Sequence, residues 1–311
     1  MTELRFDGRT AIVTGAGGNP SIGRSHALLL AQRGANVVVN DIGRSVAPGY
    51  EGTASADAVV EEIRRAGGNA VADHNSIATE EGAAALIHTA IDAFGRVDVL
   101  VNNAGISIAA AFDEMTSHDI RQHIDINLMG TIWTCRAAWP HMKANGYGRV
   151  VNTGSGAFAG APLLVAYSTS KGGIFSFTRA LAGEGAAYGI KVNNLNPGAF
   201  TRMVAAQQDE SSPMYQMAKA ALPPELVAPV AALLSHESCP VNGDTINGAG
   251  GLVNRVYLAE TAGFTQRPLT IETVAERWAE VVEGTPERAV PIAAHDPRDW
   301  NVKEYVAAER S

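Results

Sequence analysis

Short runs of apolar residues alternate with amphipathic stretches along most of this 311-residue chain. The runs are apolar throughout, which is typical of parallel strands that are buried on both faces of a sheet. The stretches between them have the length and the apolar spacing of helices. The alternation therefore predicts an α/β fold: one Rossmann-like, doubly wound parallel sheet with helices on both of its faces.

The pattern gives approximate bounds for the elements that precede residue 200. The predicted strands are 10–15, 36–41, 70–75, 97–102, 149–152 and 191–195. The predicted helices are 24–33, 55–66, 81–94, 118–145 and 166–188. Because no repeat or linker interrupts this series, we expect a single dinucleotide-binding and catalytic domain over residues 1–255.

The tail, residues 256–311, has a different pattern. Apolar side chains recur at helical spacing between Ile271 and Val282, and Thr270 is a suitable N-cap. A helix of this kind has to bury its apolar stripe. We expect this helical C-terminal extension to pack on the domain or on a neighbouring subunit.

Composition argues against several classes of partner. The net charge of −8 disfavours binding to nucleic acid, and no apolar run is long enough to span a membrane. The two cysteines, Cys135 and Cys239, cannot form a disulfide framework or a CxxC metal site, and the histidines form neither HxH nor HExxH. We therefore expect a small-molecule substrate and no metal, nucleic-acid or membrane partner.

The ends of the chain bear on its location. The first residues are polar and lack the apolar core of a signal peptide. The last three, Glu309 to Ser311, differ from the Ser-Lys-Leu type of peroxisomal address. The expected location is the cytoplasm.

A glycine-rich segment, TGAGGNPSIG at residues 14–23, lies between the first predicted strand and the first predicted helix. Glycines in this position let the backbone approach a pyrophosphate, and the N-terminus of the helix attracts the anion. Taken alone, the segment is also compatible with an ordinary strand-to-helix loop. The candidate cofactor-binding residues here are Gly15, Gly17, Ser21, Ile22 and Gly23.

Asp41 ends the second predicted strand. An acidic residue at this point of a Rossmann unit accepts hydrogen bonds from the adenosine ribose, and its charge repels a 2′-phosphate. NAD is therefore the favoured cofactor and NADP the less favoured one. Arg44, three residues later, would soften that preference.

Tyr167 and Lys171 are four positions apart in a predicted helix and therefore share one face of it. A phenol with a pKa of about 10 is a poor acid or base at neutral pH. A nearby ammonium group lowers that pKa, so that the phenol takes a proton from a substrate hydroxyl while a hydride leaves the same carbon. We expect Tyr167 to be the proton-transfer residue and Lys171 its electrostatic partner.

These motifs, in this order, resemble the short-chain dehydrogenases/reductases over about residues 8–250. The resemblance implies a catalytic tetrad of Asn127, Ser155, Tyr167 and Lys171, in which Asn127 orders a water that links the lysine to solvent. It also implies a homodimer or homotetramer formed through the long helices. Further implied cofactor contacts are Asn75, Ser76, Asn103, Ala104, Gly105, Tyr167, Lys171, Pro197, Gly198 and Thr201.

The chain departs from the family pattern at several positions. The glycine turn carries two extra residues, and Ser155 stands one residue later than usual, with Gly154 at the expected offset. Thr201 follows Pro197 by four residues instead of five. Asn75 stands where aspartate is commoner.

A narrower resemblance bears on the substrate. Segments 37–43, 136–143, 236–243 and 269–278 are similar to the (3R)-hydroxyacyl-CoA dehydrogenases that form part of peroxisomal multifunctional enzymes. This likeness implies oxidation of a (3R)-hydroxyacyl-CoA. It extends past the usual end of the family domain, to about residue 285.

Two alternatives remain open at this stage. The loop from Thr201 to Pro223 is equally suited to a hydroxysteroid or terpenoid alcohol; its Met203, Met214, Tyr215 and Met217 line an apolar pocket or only pack a lid. A protein that senses NAD(P) without catalysis is the alternative from another class. Such a protein is expected to lose the tyrosine or the lysine, and both are present.

Overall fold

The computed structural model of the chain describes residues 3–43, 55–201, 210–283 and 288–289. Arg44 and Met203, which the sequence singled out, lie outside the described residues. Met214 and residues 288–289 are described by their backbone only.

Eight strands form one sheet in the order β3-β2-β1-β4-β5-β6-β7-β8. Strands β1 to β7 are parallel, and β8 pairs antiparallel with β7 at one edge. A short antiparallel pair, β9 with β10, lies in the tail. The strands are β1 (Thr10–Thr14), β2 (Asn36–Asn40), β3 (Asn69–Asp73), β4 (Val99–Asn102), β5 (Gly148–Thr153), β6 (Ile190–Gly198), β7 (Thr245–Ala249), β8 (Leu252–Val256), β9 (Ala259–Glu260) and β10 (Arg288–Ala289).

Helices follow most of the strands, as the alternation predicted. A π-helix, His123–Met129, separates α4 from α5, and 3₁₀ turns lie at Gly156–Ala159, Ala186–Tyr188 and Pro224–Leu226. The α-helices are α1 (Ile22–Gln32), α2 (Ala56–Arg65), α3 (Glu80–Phe94), α4 (Ser117–Gln122), α5 (Gly130–Asn145), α6 (Val165–Gly185), α7 (Pro213–Ala221), α8 (Ala228–Ser235), α9 (Ile271–Glu276) and α10 (Trp278–Val282).

Alternation along the strands divides the apolar side chains between two cores. On β1, Ala11 and Val13 join the core that α1, α2 and α8 cover, whereas Ile12 joins the core that α3, α5 and α6 cover. The central strands β1, β4 and β5 are thus buried on both faces, which explains why their segments are apolar at their centres. The predicted class, a doubly wound parallel sheet, is confirmed.

The predicted helix 118–145 is the element in which the structure differs most from the sequence pattern. It is divided into α4, the π-helix and α5. A π-helix adds one residue to a turn, so the spacing of apolar residues over a long stretch does not reveal it. Such segments occur frequently at functional sites.

The tail helix also differs from its prediction. Thr270 is the N-cap, with its side chain accepting a hydrogen bond from the backbone N of Thr273, but the helix breaks at Arg277 into α9 and α10. Ile271 is 84% exposed, and Trp278 is also exposed, so the stripe does not pack on the domain at these residues. Packing on a neighbouring subunit stays a prediction.

Two further observations concern only the residues that the structure describes. Within these ranges, no single helix is both long and apolar enough to cross a membrane. One pair of helical segments bent by 42°, Tyr215–Ala221 with Pro224–Ser235, reaches that length and composition when taken together. The same ranges contain no group of three or more His, Cys, Asp or Glu side chains that could hold a metal ion.

Candidate active site

The parallel strands bring four of the predicted motifs to one edge of the sheet. β1, β4, β5 and β6 end there, each followed by a segment that the sequence singled out. The carboxyl edge is where open α/β sheets bind their ligands. The glycine turn follows β1, the Asn-Ala-Gly segment follows β4, and Ser155 follows β5.

The glycine turn between β1 and α1 is tightly packed. A Cβ on Gly15 would lie 2.7 Å from Cα of Ala104, and one on Gly23 would lie 2.5 Å from Nδ2 of Asn103. Gly15 also has a φ of 62°, in the left-handed region that favours glycine. The turn therefore requires glycine at both positions, as expected of a backbone cradle for a pyrophosphate.

Asn103 and Ala104 fasten this turn to the end of β4. Their backbone nitrogens both donate to Oγ1 of Thr14 at 3.0 Å. Nδ2 of Asn103 donates to the carbonyl oxygens of Thr14 and Gly15 at 2.9 and 3.0 Å. The sequence analysis did not propose a role for Thr14 itself, because one threonine at the end of an apolar strand is not distinctive.

The N-terminus of α1 completes the cradle. Oγ of Ser21 accepts from the backbone N of Arg24 at 3.1 Å and donates to the carbonyl of Gly18 at 3.0 Å. Ile22 and Gly23 begin the helix, so their N–H groups have no acceptor within it. Such groups favour an anion. The residues present therefore fit a dinucleotide phosphate.

Asp41 is held against the turn. Its Oδ2 accepts from the backbone N of Gly17 at 2.9 Å, and its Oδ1 accepts from that of Gly43 at 3.0 Å. A Cβ on Gly17 would lie 2.9 Å from Cβ of Asp41 and 2.9 Å from the backbone N of Ser55. Each carboxylate oxygen has a second lone pair with which to accept a ribose hydroxyl.

The segment after β3 is shaped by Asp73, a buried residue that the sequence did not single out. The backbone N and Nδ2 of Asn75 donate to its two carboxylate oxygens at 3.0 and 2.8 Å. Nδ2 of Asn40 donates to Asp73 at 2.7 Å and to the carbonyl of Asn75 at 2.9 Å. Asn75 is therefore fixed at this edge, and Ser76 beside it is exposed.

Ser155, Tyr167 and Lys171 come together beyond β5. The hydroxyl of Ser155 lies beside the phenol of Tyr167, where it favours the phenolate form. Nζ of Lys171 lies 5.5 Å from the centroid of the Tyr167 ring and donates to the carbonyl oxygen of Thr153 at 2.7 Å. The structure thus places three of the predicted catalytic side chains in one site.

The offset of Ser155 from the family pattern has a steric cause. A Cβ at Gly154 would lie 2.3 Å from Oδ1 of Asn196 and 2.5 Å from Nδ2 of Asn194. A side chain at this position would displace the buried amide groups of Asn194 and Asn196, which are hydrogen-bonded to each other. The hydroxyl that reaches Tyr167 therefore comes from the next position along the chain.

Asn127 lies in the π-helix and is fully buried. Its Oδ1 accepts from the backbone N of Ile106 at 2.8 Å, and its Nδ2 donates to the carbonyl of Ile106 at 3.0 Å and to Oγ of Ser170 at 3.1 Å. Ser170 in turn donates to the carbonyl of Tyr167 at 2.7 Å. Asn127 thereby ties the segment after β4 to α6.

The remaining predicted cofactor residues lie at the same edge. A Cβ on Gly105 would lie 3.0 Å from Oδ1 of Asn127 and 3.7 Å from Nζ of Lys171, so the absence of a side chain here leaves room for both groups. Pro197 and Gly198 end β6, and Thr201 is the last residue described before 202–209.

His123, which the sequence analysis missed as a site residue, is buried beside Tyr167, with 6.3 Å between the two ring centroids. Its Nε2 accepts from the backbone N of Ile108 at 3.0 Å, and its Nδ1 lies 2.7 Å from the carbonyl oxygen of Asp119. This pattern requires the neutral ring with its proton on Nδ1. His123 therefore fixes the segment after Ile106 next to the tyrosine.

The electrostatics of the site correct one prediction. Burial raises the pKa of Tyr167, and the hydrogen bond from Ser155 opposes this rise. Burial also lowers the pKa of Lys171 to about 8. The net shift of the Tyr167 pKa is thus opposite to the one predicted from Lys171 alone, because the desolvation of the phenolate outweighs the ammonium group, whose Nζ is bonded to the carbonyl of Thr153.

With this geometry in place, comparison with known proteins defines the class. The model of the short chain dehydrogenase family matches residues 9–212. The crystal structure of a short chain dehydrogenase from Mycobacterium avium is 34% identical, with a TM-score of 0.76, over 93% of this chain and 99% of that one. The chain belongs to the short-chain dehydrogenase family of oxidoreductases, which use nicotinamide dinucleotides.

The narrower resemblance is also confirmed. Peroxisomal multifunctional enzyme type 2 of Drosophila melanogaster is 40% identical over 287 residues, 90% of this chain and 46% of that protein. Its full-length structure has a TM-score of 0.76 and 32% identity, over 99% of this chain and 49% of that one. The peroxisomal hydratase-dehydrogenase-epimerase of Saccharomyces cerevisiae is 37% identical, over 90% of this chain and 31% of that protein. The chain spans less than half the length of these relatives.

The cradle predicts that Gly17→Ala weakens dinucleotide binding. The added Cβ would lie 2.9 Å from Asp41 and from Ser55, and overpacking of about 1–3 kcal/mol corresponds to a rise in Kd of about 5- to 140-fold. The Kd is measured by calorimetry with NAD and with NADP. Gly156→Ala is the control, because a Cβ there meets nothing within 4 Å. Equal affinity in wild type and Gly17→Ala would contradict the cradle.

The burial of Lys171 predicts a pH dependence of stability. Its pKa falls from 10.5 to about 8 on folding, so between these values the unfolded chain binds more protons and stability rises with pH. Relative to Lys171→Met, the wild type should gain about 2–3 kcal/mol of unfolding free energy between pH 8 and pH 10. Urea denaturation of both proteins measures this gain, and a pH-independent difference would refute it.

Proposed function

We propose that the protein oxidises a secondary alcohol with NAD and that its substrate class is the (3R)-hydroxyacyl-CoA thioesters. The observation that carries the proposal is the contact between the hydroxyl of Ser155 and the phenol of Tyr167, at the sheet edge that holds the glycine cradle. Two hydroxyls beside a dinucleotide site suit an alcohol as substrate.

Each side chain of the site has a separate role in the proposed oxidation. Ser155 and Tyr167 hold the substrate hydroxyl, and the phenolate form of Tyr167 takes its proton. The C–H bond of the same carbon breaks as a hydride, and the C=O bond forms. When bound, the nicotinamide ring supplies the hydride acceptor and a positive charge. Lys171, with its pKa of about 8, is mostly charged at neutral pH and favours the phenolate.

Two charged residues support NAD over NADP. The carboxylate of Asp41 lies at the end of β2, against the glycine turn, where it repels a 2′-phosphate. Arg24, the cation nearest to the turn along the described part of the chain, is committed to Glu62, with Nε and Nη2 donating to its two carboxylate oxygens at 3.1 and 2.5 Å. It is therefore not free to bind a phosphate.

The substrate class is supported by likeness to the multifunctional enzymes. The described part of the segment from Thr201 to Pro223 is compatible with an acyl-CoA substrate, but it does not distinguish this substrate from a steroid or terpenoid alcohol. Tyr215 is buried against Phe200, with 4.9 Å between the ring centroids, whereas Met217 is exposed. A hydroxysteroid or terpenoid alcohol is the alternative substrate.

Assembly and location complete the proposal. The expected homodimer or homotetramer is supported by the family resemblance of the long helices, which are α5 and α6 here. Light scattering on the purified protein tests it, and a monomer would refute it. A cytoplasmic location stays a prediction, which fluorescence microscopy of a tagged protein tests.

The mechanism predicts that Tyr167→Phe lowers kcat at least about a hundredfold, because general acid–base catalysis contributes on that scale. The Kd for NAD should change less than about twofold, since the substitution removes only a hydroxyl. Turnover is followed by NADH absorbance and binding by calorimetry. Full activity in this variant would exclude Tyr167 as the proton-transfer residue.

The cofactor proposal predicts that the wild type has a higher kcat/KM with NAD than with NADP. In Asp41→Ser the ratio of kcat/KM with NAD to kcat/KM with NADP should fall about tenfold, because the carboxylate that repels the 2′-phosphate is removed. Asp57→Asn is the matched control, because its carboxylate is 72% exposed at the start of α2 and contacts His74. Equal kcat/KM values with the two cofactors in the wild type would refute the preference.

A further inference from the structure

Among the described residues, Leu163 is the single non-glycine residue with a positive φ, at 66°. The left-handed conformation costs a residue with a Cβ about 1–2 kcal/mol, and a branched aliphatic side chain gains nothing locally in return. Strain of this kind persists only where the surrounding structure imposes it, and it is commonest at functional sites. Leu163 lies four residues before Tyr167.

The backbone of Leu163 is held by the loop after β4. Its carbonyl oxygen accepts from the backbone N of Ala110 at 2.9 Å. That loop is fixed to the π-helix just upstream, where Ile106 is bonded to Asn127 and Ile108 to His123. The same frame that positions the site therefore imposes the conformation of Leu163.

The side chain of Leu163 does not contribute to the packing of the core. Leu163 is 57% exposed, and Phe112, two residues beyond Ala110 on the other loop, is 68% exposed. Single exposed apolar side chains are ordinary. Here, however, two of them lie on the two loops that the Ala110–Leu163 hydrogen bond joins, at the carboxyl edge of the sheet.

We propose that Leu163, together with Phe112, is a specificity-determining contact for the apolar part of the substrate. The inference rests on the proposed function, since it assumes an alcohol bound between Ser155 and Tyr167. The strained backbone fixes the leucine at the rim of that site. An alkyl chain or ring attached to the reacting carbon is covered there, whereas a short substrate does not reach it.

The test uses Leu163→Asn, because asparagine enters the left-handed region more readily and is close to leucine in size but polar. The substrates are (R)-3-hydroxybutanoyl-CoA with (R)-3-hydroxydodecanoyl-CoA, and 2-butanol with 2-decanol. For the longer member of each pair kcat/KM should fall about tenfold, with a change of less than about twofold for the shorter member. The Tm should stay unchanged or rise.

Leu4→Asn is the matched control, an exposed leucine that precedes β1 at the opposite edge of the sheet, and its kcat/KM values should match wild type. Equal losses on long and short substrates in Leu163→Asn, or no loss on either, would overturn the inference alone. If the wild type oxidises the free alcohols but not the thioesters, the proposed substrate class is refuted. The role of Leu163 is then tested by comparing kcat/KM for 2-butanol and 2-decanol. A wild type inactive on all four would overturn both.

Discussion

The parallel pairing of β1 with β4 and of β4 with β5 is the constraint on which the site depends. It makes three strands end side by side, so that a glycine turn, an asparagine segment and Ser155 meet although they are far apart in sequence. Thr14 then joins the first two of these through its hydroxyl. The sheet topology thus brings the site residues together, and the identity of their side chains then determines the chemistry.

Burial is the second determinant of the site, and it favours the neutral form of both ionisable side chains. It raises the pKa of Tyr167 and lowers that of Lys171, since it disfavours charge on each. Lys171 keeps one hydrogen bond, to the carbonyl of Thr153, which holds the ammonium without neutralising it. In the proposed mechanism the tyrosine therefore depends on Ser155, on the charge of Lys171 and on the charge of a bound nicotinamide to reach its phenolate form.

The sequence predicted the sheet because buried strands leave a direct pattern, and helical spacing predicted that Tyr167 and Lys171 share one face. The roles of Asn127 and Ser155 came from the family resemblance. The sequence pattern did not reveal the π-helix around Asn127, since one extra residue in a turn barely changes the spacing. It also missed Asp73 and His123, whose importance comes from backbone groups brought near them by the fold. The tail helix was predicted with its N-cap, Thr270. Its break at Arg277 was not predicted, because no proline or glycine marks that position.

A crystal structure of the protein with NAD and a slowly reacting alcohol would show whether the glycine turn and the two hydroxyls form one active site. The account predicts the pyrophosphate along residues 15–23 and the substrate oxygen within about 3 Å of the hydroxyls of both Ser155 and Tyr167. A dinucleotide bound away from this turn would contradict it, as would a phenol of Tyr167 separated from the substrate oxygen.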